Sequence, residues 1–367
     1  MAAPDEVVLL TGFPSFQAKK MLGEILRSPG VFVFAIVRAK FGDEARELVA
    51  KLDDDARRRV ELVGGDVASM DLGLSGAEFR DLTARVTRIH HVAHVSYLGI
   101  DRKTAEHTNV VGTREVLEFA LRARKLEAMV HHSTVHVSGD RTGTVLEEEL
   151  DRGQSFRNVV EETRAIAEKL VHRKAREIPS VIVRTATIVG DSVTGEVDRM
   201  DGPYLLILLM LTSPPDFAMP LPGRGDALLN LVPIDHVVRV ARALGRHPHA
   251  VGRTFHIADP APVTARRVFE LVAEVGGRPA PRGFLPANVT RAILKAPGLD
   301  RIAQSPRSFI DAMATRVQYS TAGTDALVGD LQCPPFETYV DRLVAYVEDR
   351  MGERRAQKEA DAVDTPS

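Results

Sequence analysis

The sequence predicts an α/β fold, a doubly wound parallel sheet carrying a smaller, interleaved C-terminal lobe. Two observations predict it. Short β-branched runs alternate with stretches of 3.6-residue apolar spacing, the pattern of parallel strands covered by helices on both faces. Past Asp191 that regularity ends. Gly, Pro and Asp then cluster through Asp201-Gly202-Pro203, Ser213-Pro214-Pro215 and Pro220-Leu221-Pro222-Gly223, which is loop chemistry between short helices. With 367 residues, 44% of them hydrophobic, the chain can bury a large core and an appended lobe.

The elements follow in order. Strands are expected over Glu6–Thr11, Val31–Arg38, Val60–Gly64, Arg88–Val92, Ala128–Ser133, Ser180–Arg184 and Thr254–Ile257. The intervening helices show an apolar stripe, as in Val111, Val116, Leu117, Phe119, Ala120 and Leu121. Residues 1–190 are read as the sheet domain. Residues 191–350 are read mainly as the lobe, with the strand near 254–257 returning to the sheet. Residues 352–367 are rich in Glu, Lys, Arg, Ala and Asp without apolar partners, and are expected to be frayed or disordered. The most apolar run, Tyr204–Leu211, is far shorter than the ~20 residues a membrane span needs. It reads as a buried helix or as a wall for a lipophilic ligand.

Composition excludes several classes. A net charge of −2 argues against nucleic acid as a partner. The single Cys333 forbids an internal disulfide, and the start Met-Ala-Ala-Pro-Asp-Glu lacks a positive leader region, so a cytoplasmic location is expected. Histidines 90, 91, 94, 131, 132 and 136 invite a metal reading. Strand alternation puts His131 and His132 on opposite faces, and no His-x-x-x-His helix accompanies them, so no metal is expected. A hydrolase elbow of the Gly-x-Ser-x-Gly type is missing.

The motifs lie at the strand ends. Strand one runs into Thr11-Gly12-Phe13-Pro14-Ser15-Phe16-Gln17-Ala18, strand three ends Gly65-Asp66-Val67, and strand four gives His91-Val92-Ala93-His94. Then come Asn109-Val110-Val111-Gly112-Thr113, and Ser133-Thr134-Val135-His136-Val137-Ser138-Gly139 after strand five. Asn158-Val159-Val160-Glu161-Glu162-Thr163-Arg164-Ala165-Ile166-Ala167-Glu168 opens a helix. In this order and spacing the motifs resemble those of the extended short-chain dehydrogenase/reductase superfamily, which includes NAD-dependent epimerases and dehydratases. Arg184-Thr185-Ala186-Thr187-Ile188-Val189-Gly190-Asp191-Ser192-Val193-Thr194-Gly195 and Asn230-Leu231-Val232-Pro233-Ile234-Asp235 resemble its fatty acyl reductase and thioester reductase branch. The resemblance covers about residues 6–275.

The resemblance implies a Rossmann-type nucleotide site with a substrate lobe after Asp191. Gly12, Phe13, Ser15 and Phe16 would form the phosphate turn, with Ser15 and Ala18 replacing two of its three usual glycines. Asp66 and Val67 would cup adenine, with Ala93, Asn109 and Arg164 further along the nucleotide. Arg38, at the end of strand two, would meet the adenosine ribose. An acid there would suit NAD(H), whereas arginine suits a 2′-phosphate, so NADP(H) is favoured.

The same resemblance implies that Thr134 binds the substrate carbonyl. The superfamily pattern Asn-x-Tyr-x-x-Ser-Lys-x-x-Ala-Glu places the tyrosine acid/base at Val160 and the lysine at Arg164. Valine cannot transfer a proton. Arginine keeps the charge but donates no proton near neutrality. His136, at an offset where related dehydratases carry an acidic acid/base, is the leading replacement, because histidine titrates near neutrality. Tyr97 and Tyr204 are further pocket candidates. Two functions remain open. One is an atypical enzyme acting on a lipophilic carbonyl or acyl substrate, by impaired hydride transfer or by non-redox acid/base chemistry. The other is an inactive nucleotide-binding or scaffold protein, which holds the nucleotide as a sensor or binds none. Superfamily analogy also implies a homodimer built on the helix that starts near Asn158.

Overall fold

The computed structural model describes residues 4–97, 99–197, 203–222, 224–285 and 317–363. They fall into two compact units. The first unit comprises Met1–Ala186, His236–Pro260 and Tyr319–Gln332, and the second comprises Thr187–Asp235, Ala261–Gln318 and Cys333–Ser367.

The first unit is a seven-stranded parallel sheet. Its strands are β1 (Glu6–Phe13), β2 (Val31–Val37), β3 (Val60–Gly64), β4 (Arg88–His91), β5 (Ala128–Thr134), β6 (Ser180–Thr185) and β7 (Thr254–Ile257). They lie in the order β7-β6-β5-β4-β1-β2-β3. This is the Rossmann-type doubly wound arrangement that the alternation predicts. Continuous apolar runs such as Val7 to Leu10 and Val33 to Val37 are buried because helices cover both faces of the sheet. The helix Phe16–Leu26 buries Ala18, Met21, Leu22, Ile25 and Leu26, a stripe one helical face wide. The winding direction reverses between β1 and β4, and a crevice at the carboxyl ends of such strands is where doubly wound sheets hold ligands.

Two buried ion clusters brace this unit. Glu6 on β1 accepts from Arg88 Nε at 2.8 Å and Arg242 Nη2 at 2.7 Å. Burial pushes the Glu6 carboxyl up, but the two guanidinium groups outweigh it and hold the group below the usual value. Glu168 accepts from Arg184 Nε at 2.9 Å and Nη2 at 2.6 Å, and from Ser133 Oγ at 2.5 Å.

The second unit is built from short paired strands and helices. Thr187–Val189 pairs in parallel with Leu231–Pro233, and Leu228–Leu229 pairs antiparallel with Val263–Thr264. Tyr204, Ile207 and Met210 of the helix Pro203–Thr212 join a core with Val268, Phe269 and Leu343. The apolar run is therefore a packed helix, and no described helix is long and apolar enough to cross a membrane. Asp201 and Gly202 of the first Gly, Pro and Asp cluster lie outside the described residues.

Two boundaries differ from the sequence reading. The sheet unit ends at Ala186 rather than 190, and it regains 236–260 and 319–332 as well as the returning strand. The helix Val340–Val363 also continues through residues expected to be frayed. Ala, Glu, Lys and Arg are strong helix formers, and Arg350 pairs with Glu353 one turn on at 3.1 Å.

Candidate functional site

The crevice begins at the end of β1. Gly12 has φ +88°, and a Cβ there would stand 2.8 Å from the Ala93 nitrogen and 2.9 Å from its Cα. Only glycine permits this turn and this approach. Thr11 ties the same point together, because its Oγ1 accepts from Val92 N and Ala93 N, each at 3.2 Å. Phe13 is buried as the last residue of β1. Ser15 is exposed and caps the helix Phe16–Leu26, accepting from Ala18 N at 3.4 Å. The serine that replaces a glycine thus commits its hydroxyl to the helix start. Phe16 opens that helix, with Lys19 and Lys20 ammonium groups 5.3 Å and 5.6 Å from its ring centroid.

The far end of the crevice is set by β2 and β3. Arg38 Nε lies 3.0 Å from Asp66 Oδ2, while Asp66 Oδ1 accepts from Ala68 N at 3.0 Å. Asp66 is thereby fixed to its own turn and orients the half-exposed guanidinium. Val67 is buried, and a Cβ on Gly112 would stand 3.2 Å from its Cγ2.

A single turn of π-helix, Glu106–Val111, carries Asn109. Asn109 is 1% exposed. Its Oδ1 accepts from Val95 N at 2.8 Å, and its Nδ2 donates to Thr163 Oγ1 at 2.9 Å and to Val95 O at 3.3 Å. One carboxamide thus joins the segment after β4 to the helix Val159–Lys174. Insertions of this kind often mark functional sites.

At the end of β5, Thr134 Oγ1 donates to Thr185 O at 3.3 Å and accepts from His136 N at 3.3 Å. Both bonds are long, so the hydroxyl is loosely held. The helix Val159–Lys174 starts at Asn158, whose side chain accepts from Glu161 N at 3.0 Å. Val160, in its first turn, is 8% exposed. Arg164, one turn on, is 4% exposed and donates from Nη2 to His132 O at 2.6 Å. Burial lowers its pKa to about 10, so it stays cationic at neutral pH.

His136 departs from the expectation that it titrates near neutrality. Burial, with the Arg157 and Arg164 charges beside it, pushes it down to about 4. It is a neutral imidazole at pH 7, able to accept a proton but not to act as a charged acid. Tyr97, just past β4, is exposed, at 37%. Tyr204 belongs to the second unit, where its hydroxyl accepts from Gly190 N and its ring lines a small apolar cavity with Ile207, Met210 and Phe269. Its polar end is therefore committed to holding the Gly190-Asp191-Ser192 loop.

The histidines divide by face as strand alternation requires. His91 and His131 lie on one side, with ring centroids 5.5 Å apart. His90 and His132 lie on the other, with Nδ1 and Nε2 3.2 Å apart. Thr113 donates to Asn109 O at 2.7 Å, so its oxygen accepts from His91 Nε2 at 3.2 Å. That leaves His91 Nδ1 to accept from the Thr11 hydroxyl at 2.9 Å. Sequence reasoning missed a second chain of bonds. Gln17 Nε2 donates to His132 Nδ1 at 3.1 Å, so the His132 proton sits on Nε2 and points at His90. Gln17 stands beside the missing glycines, and a polar residue on an otherwise small or apolar turn is the one signal the sequence offers for it.

A family model described as Male sterility protein, an NAD-binding family, matches residues 10–241. The chain belongs to that family. It is thus a member of the extended short-chain dehydrogenase/reductase superfamily, as its motif order implies. Among curated proteins it is 27% identical to the large subunit of L-2-aminoadipate reductase from Penicillium chrysogenum, over 69% of this chain and 19% of that protein. It is 26% identical to Fatty acyl-CoA reductase wat of Drosophila melanogaster, over 56% of this chain and 47% of that protein. The chain spans between 7% and 22% of the length of the first curated relatives it matches. Among solved structures, the terminal R domain of the myxalamid PKS-NRPS pathway superposes with a TM-score of 0.79. It is 23% identical, over 95% of this chain and 92% of that one. UDP-glucuronic acid 4-epimerase from Bacillus cereus, solved with NAD, gives 0.69 at 18% identity, over 94% and 99%. At these identities the structural likeness establishes the fold alone. The family itself points to a nicotinamide nucleotide as cofactor, and the Gly12 turn, where a Cβ would strike the Ala93 backbone, fits the close backbone approach a pyrophosphate needs.

Proposed function

We propose that this family member binds NADP(H) in the crevice of the sheet unit and acts on a lipophilic carbonyl or acyl substrate without a tyrosine acid/base. The observation that carries this reading is the Gly12 turn, held against Ala93 at a distance no other residue allows. A close backbone approach of this kind serves a pyrophosphate. Arg38 supports the phosphorylated nucleotide. Asp66 engages its Nε and leaves the remaining nitrogens for a 2′-phosphate. The nucleotide, when bound, supplies or accepts hydride. The chain's own residues would orient the substrate through Thr134, with Asn109 and Arg164 lying along the nucleotide. His136, neutral at working pH, can take a proton but cannot deliver one as an imidazolium. At that pKa it is also a weak base, so any chemistry at this site runs without strong acid/base assistance from His136.

A second reading is favoured by Val160 itself, a buried aliphatic group where the proton donor belongs. On that reading the chain keeps the nucleotide and has lost turnover. Titration with NADPH and NADH, followed by fluorescence and thermal shift, tests both. The proposal expects saturable binding of NADPH, tighter than NADH by about tenfold for one half-exposed charge-assisted contact. If neither nucleotide binds, the redox reading is wrong. If NADPH binds and no carbonyl or acyl-thioester substrate turns over, the second reading holds.

A further inference from the structure

Two hydrogen-bond chains leave the end of β1, one on each face of the sheet. On one face the Thr11 hydroxyl donates to His91 Nδ1 at 2.9 Å, His91 Nε2 donates to Thr113 Oγ1 at 3.2 Å, and Thr113 donates to Asn109 O at 2.7 Å. Asn109 Nδ2 then donates to Thr163 Oγ1 at 2.9 Å. On the other face Gln17 Nε2 donates to His132 Nδ1 at 3.1 Å, and the backbone carbonyl of His132 accepts from Arg164 Nη2 at 2.6 Å. The two chains therefore end on consecutive residues, Thr163 and Arg164, of the helix Val159–Lys174. Gln17 is the second residue of the helix Phe16–Leu26, whose first N–H groups have no partner inside the helix and suit a phosphate. His132 lies on β5, two residues before Thr134. One side chain thus spans from the phosphate turn to the strand that carries Thr134 and seats Arg164.

Stability alone does not account for the second chain. His132 and His90 are both buried, and burial keeps both rings neutral. With its Nδ1 accepting from Gln17, His132 donates from Nε2 to His90 Nδ1 at 3.2 Å. The His90 proton is then on Nε2, which is buried without a partner. An idle buried donor is destabilising, and apolar side chains at positions 17, 90 and 132 would fill the same space without one. What the polar link contributes is a fixed geometry between the turn and β5.

We propose that Gln17 is a positioning residue: through His132 it sets where Arg164 stands relative to the phosphate turn, so that a diphosphate seated on the turn is felt at Arg164. The proposal rests on the nucleotide reading for its ligand, while the link itself is present without one. The Thr11–His91–Thr113–Asn109–Thr163 chain holds the same helix from the other face, so the loss of Gln17 loosens Arg164 without releasing the helix.

The test uses the full chain, the variants Gln17→Leu and Gln17→Leu/His132→Leu, and two probes, ADP and NADPH. ADP carries the diphosphate but no nicotinamide half, so it fills the turn without reaching Arg164. Nitrogen NMR of the imidazole rings and arginine side chains reads His132, His90 and Arg164, and thermal shift reads stability. In the ligand-free protein Gln17→Leu should move the Arg164 signal and lower the melting temperature, because His132 Nδ1 loses its donor. ADP should move the His132 and Arg164 signals of the wild type saturably. It should bind Gln17→Leu about threefold more weakly, the loss of one neutral hydrogen bond, and leave the Arg164 signal of that variant in place. The double variant should recover part of the melting temperature, since both partners are then apolar, without recovering the Arg164 response. Should Gln17→Leu not fold, the double variant carries the same comparison. An Arg164 signal that responds to ADP equally in the wild type and in Gln17→Leu would overturn the proposal. So would a ligand-free Gln17→Leu protein whose Arg164 signal is unmoved. A double variant that regains the Arg164 response along with its stability would also overturn it, making Gln17 a packing residue. If neither ADP nor NADPH binds while Gln17→Leu still moves the Arg164 signal, the link is upheld and the nucleotide reading defeated.

Discussion

The carboxamide of Asn109 donates to the hydroxyl of Thr163 at 2.9 Å, so a π-turn after β4 is locked to the helix that carries Val160 and Arg164. The same carboxamide satisfies both backbone groups of Val95. Asn109→Ala would strand that N–H and C=O inside the protein. The expected loss is about 2–3 kcal/mol, the cost of unpaired buried polar groups. Thr163→Val removes one acceptor and should cost about 1 kcal/mol. Urea unfolding of the two variants measures both, and equal losses would contradict this ranking.

Gly12→Ala should separate folding from binding. The new methyl would meet Ala93 backbone at 2.8 Å in a left-handed conformation, so the turn must open. Stability should fall by about 1–2 kcal/mol from strain alone. NADPH affinity should fall further, by about tenfold or more, because the phosphate-facing backbone moves. Fluorescence titration checks it, and unchanged affinity would remove Gly12 from the site.

Acid should unfold the protein in two windows. His91, His132 and His256 are pushed down to about 3 and His136 to about 4, mainly by burial. The folded state holds them neutral, while the unfolded chain protonates them near 6.5. The unfolded state thus binds more protons below that value, and stability is lost as pH falls from about 6.5. Each imidazole contributes a slope of up to about 1.4 kcal/mol per pH unit. Glu6 and Glu168 are held below the ordinary carboxylate value, so their contribution is present above about 4.5 and lost only below it. Calorimetry between pH 7 and pH 5 should show a falling melting temperature; a flat profile would mean the imidazoles are not buried neutral.

Glu168→Gln should be among the most damaging substitutions. Burial works to raise the Glu168 carboxyl, but the Arg184 charge and bonds from His172, Arg184 and Ser133 hold it well below its usual value. Removing the charge leaves the Arg184 guanidinium buried against a neutral amide. Breaking one side of a buried pair costs about 3–5 kcal/mol. Denaturant midpoints for Glu168→Gln and for the double variant Glu168→Gln/Arg184→Met check it, and the double variant should recover part of the loss.

The sheet was legible because each strand is a local run of β-branched and apolar residues between explicit turn residues. The sharp turn at Gly12 was legible for the same reason, whereas Asn109 stood out only through the motif resemblance. The Gln17–His132–His90 chain was not, because it joins residues 115 and 42 positions apart and depends on register between strands. The depressed titration of His136 was equally hidden. It arises from burial and from Arg157 and Arg164, which come near it only through the helix packing. The helical stretch 352–363 was hidden too, because composition without apolar partners describes both an exposed helix and a disordered tail.

On the proposed reading, Val160 and Arg164 are the two side chains that keep the catalytic end of the crevice from ordinary tyrosine-and-lysine reduction. Val160→Tyr/Arg164→Lys, assayed against the wild type for NADPH-dependent reduction of an acyl thioester, tests it most directly. The account predicts a gain of about 10²–10⁴-fold in turnover, the usual worth of a positioned acid/base. Wild-type turnover as fast as the double variant's, or a double variant that binds NADPH and substrate yet stays at background, would contradict it.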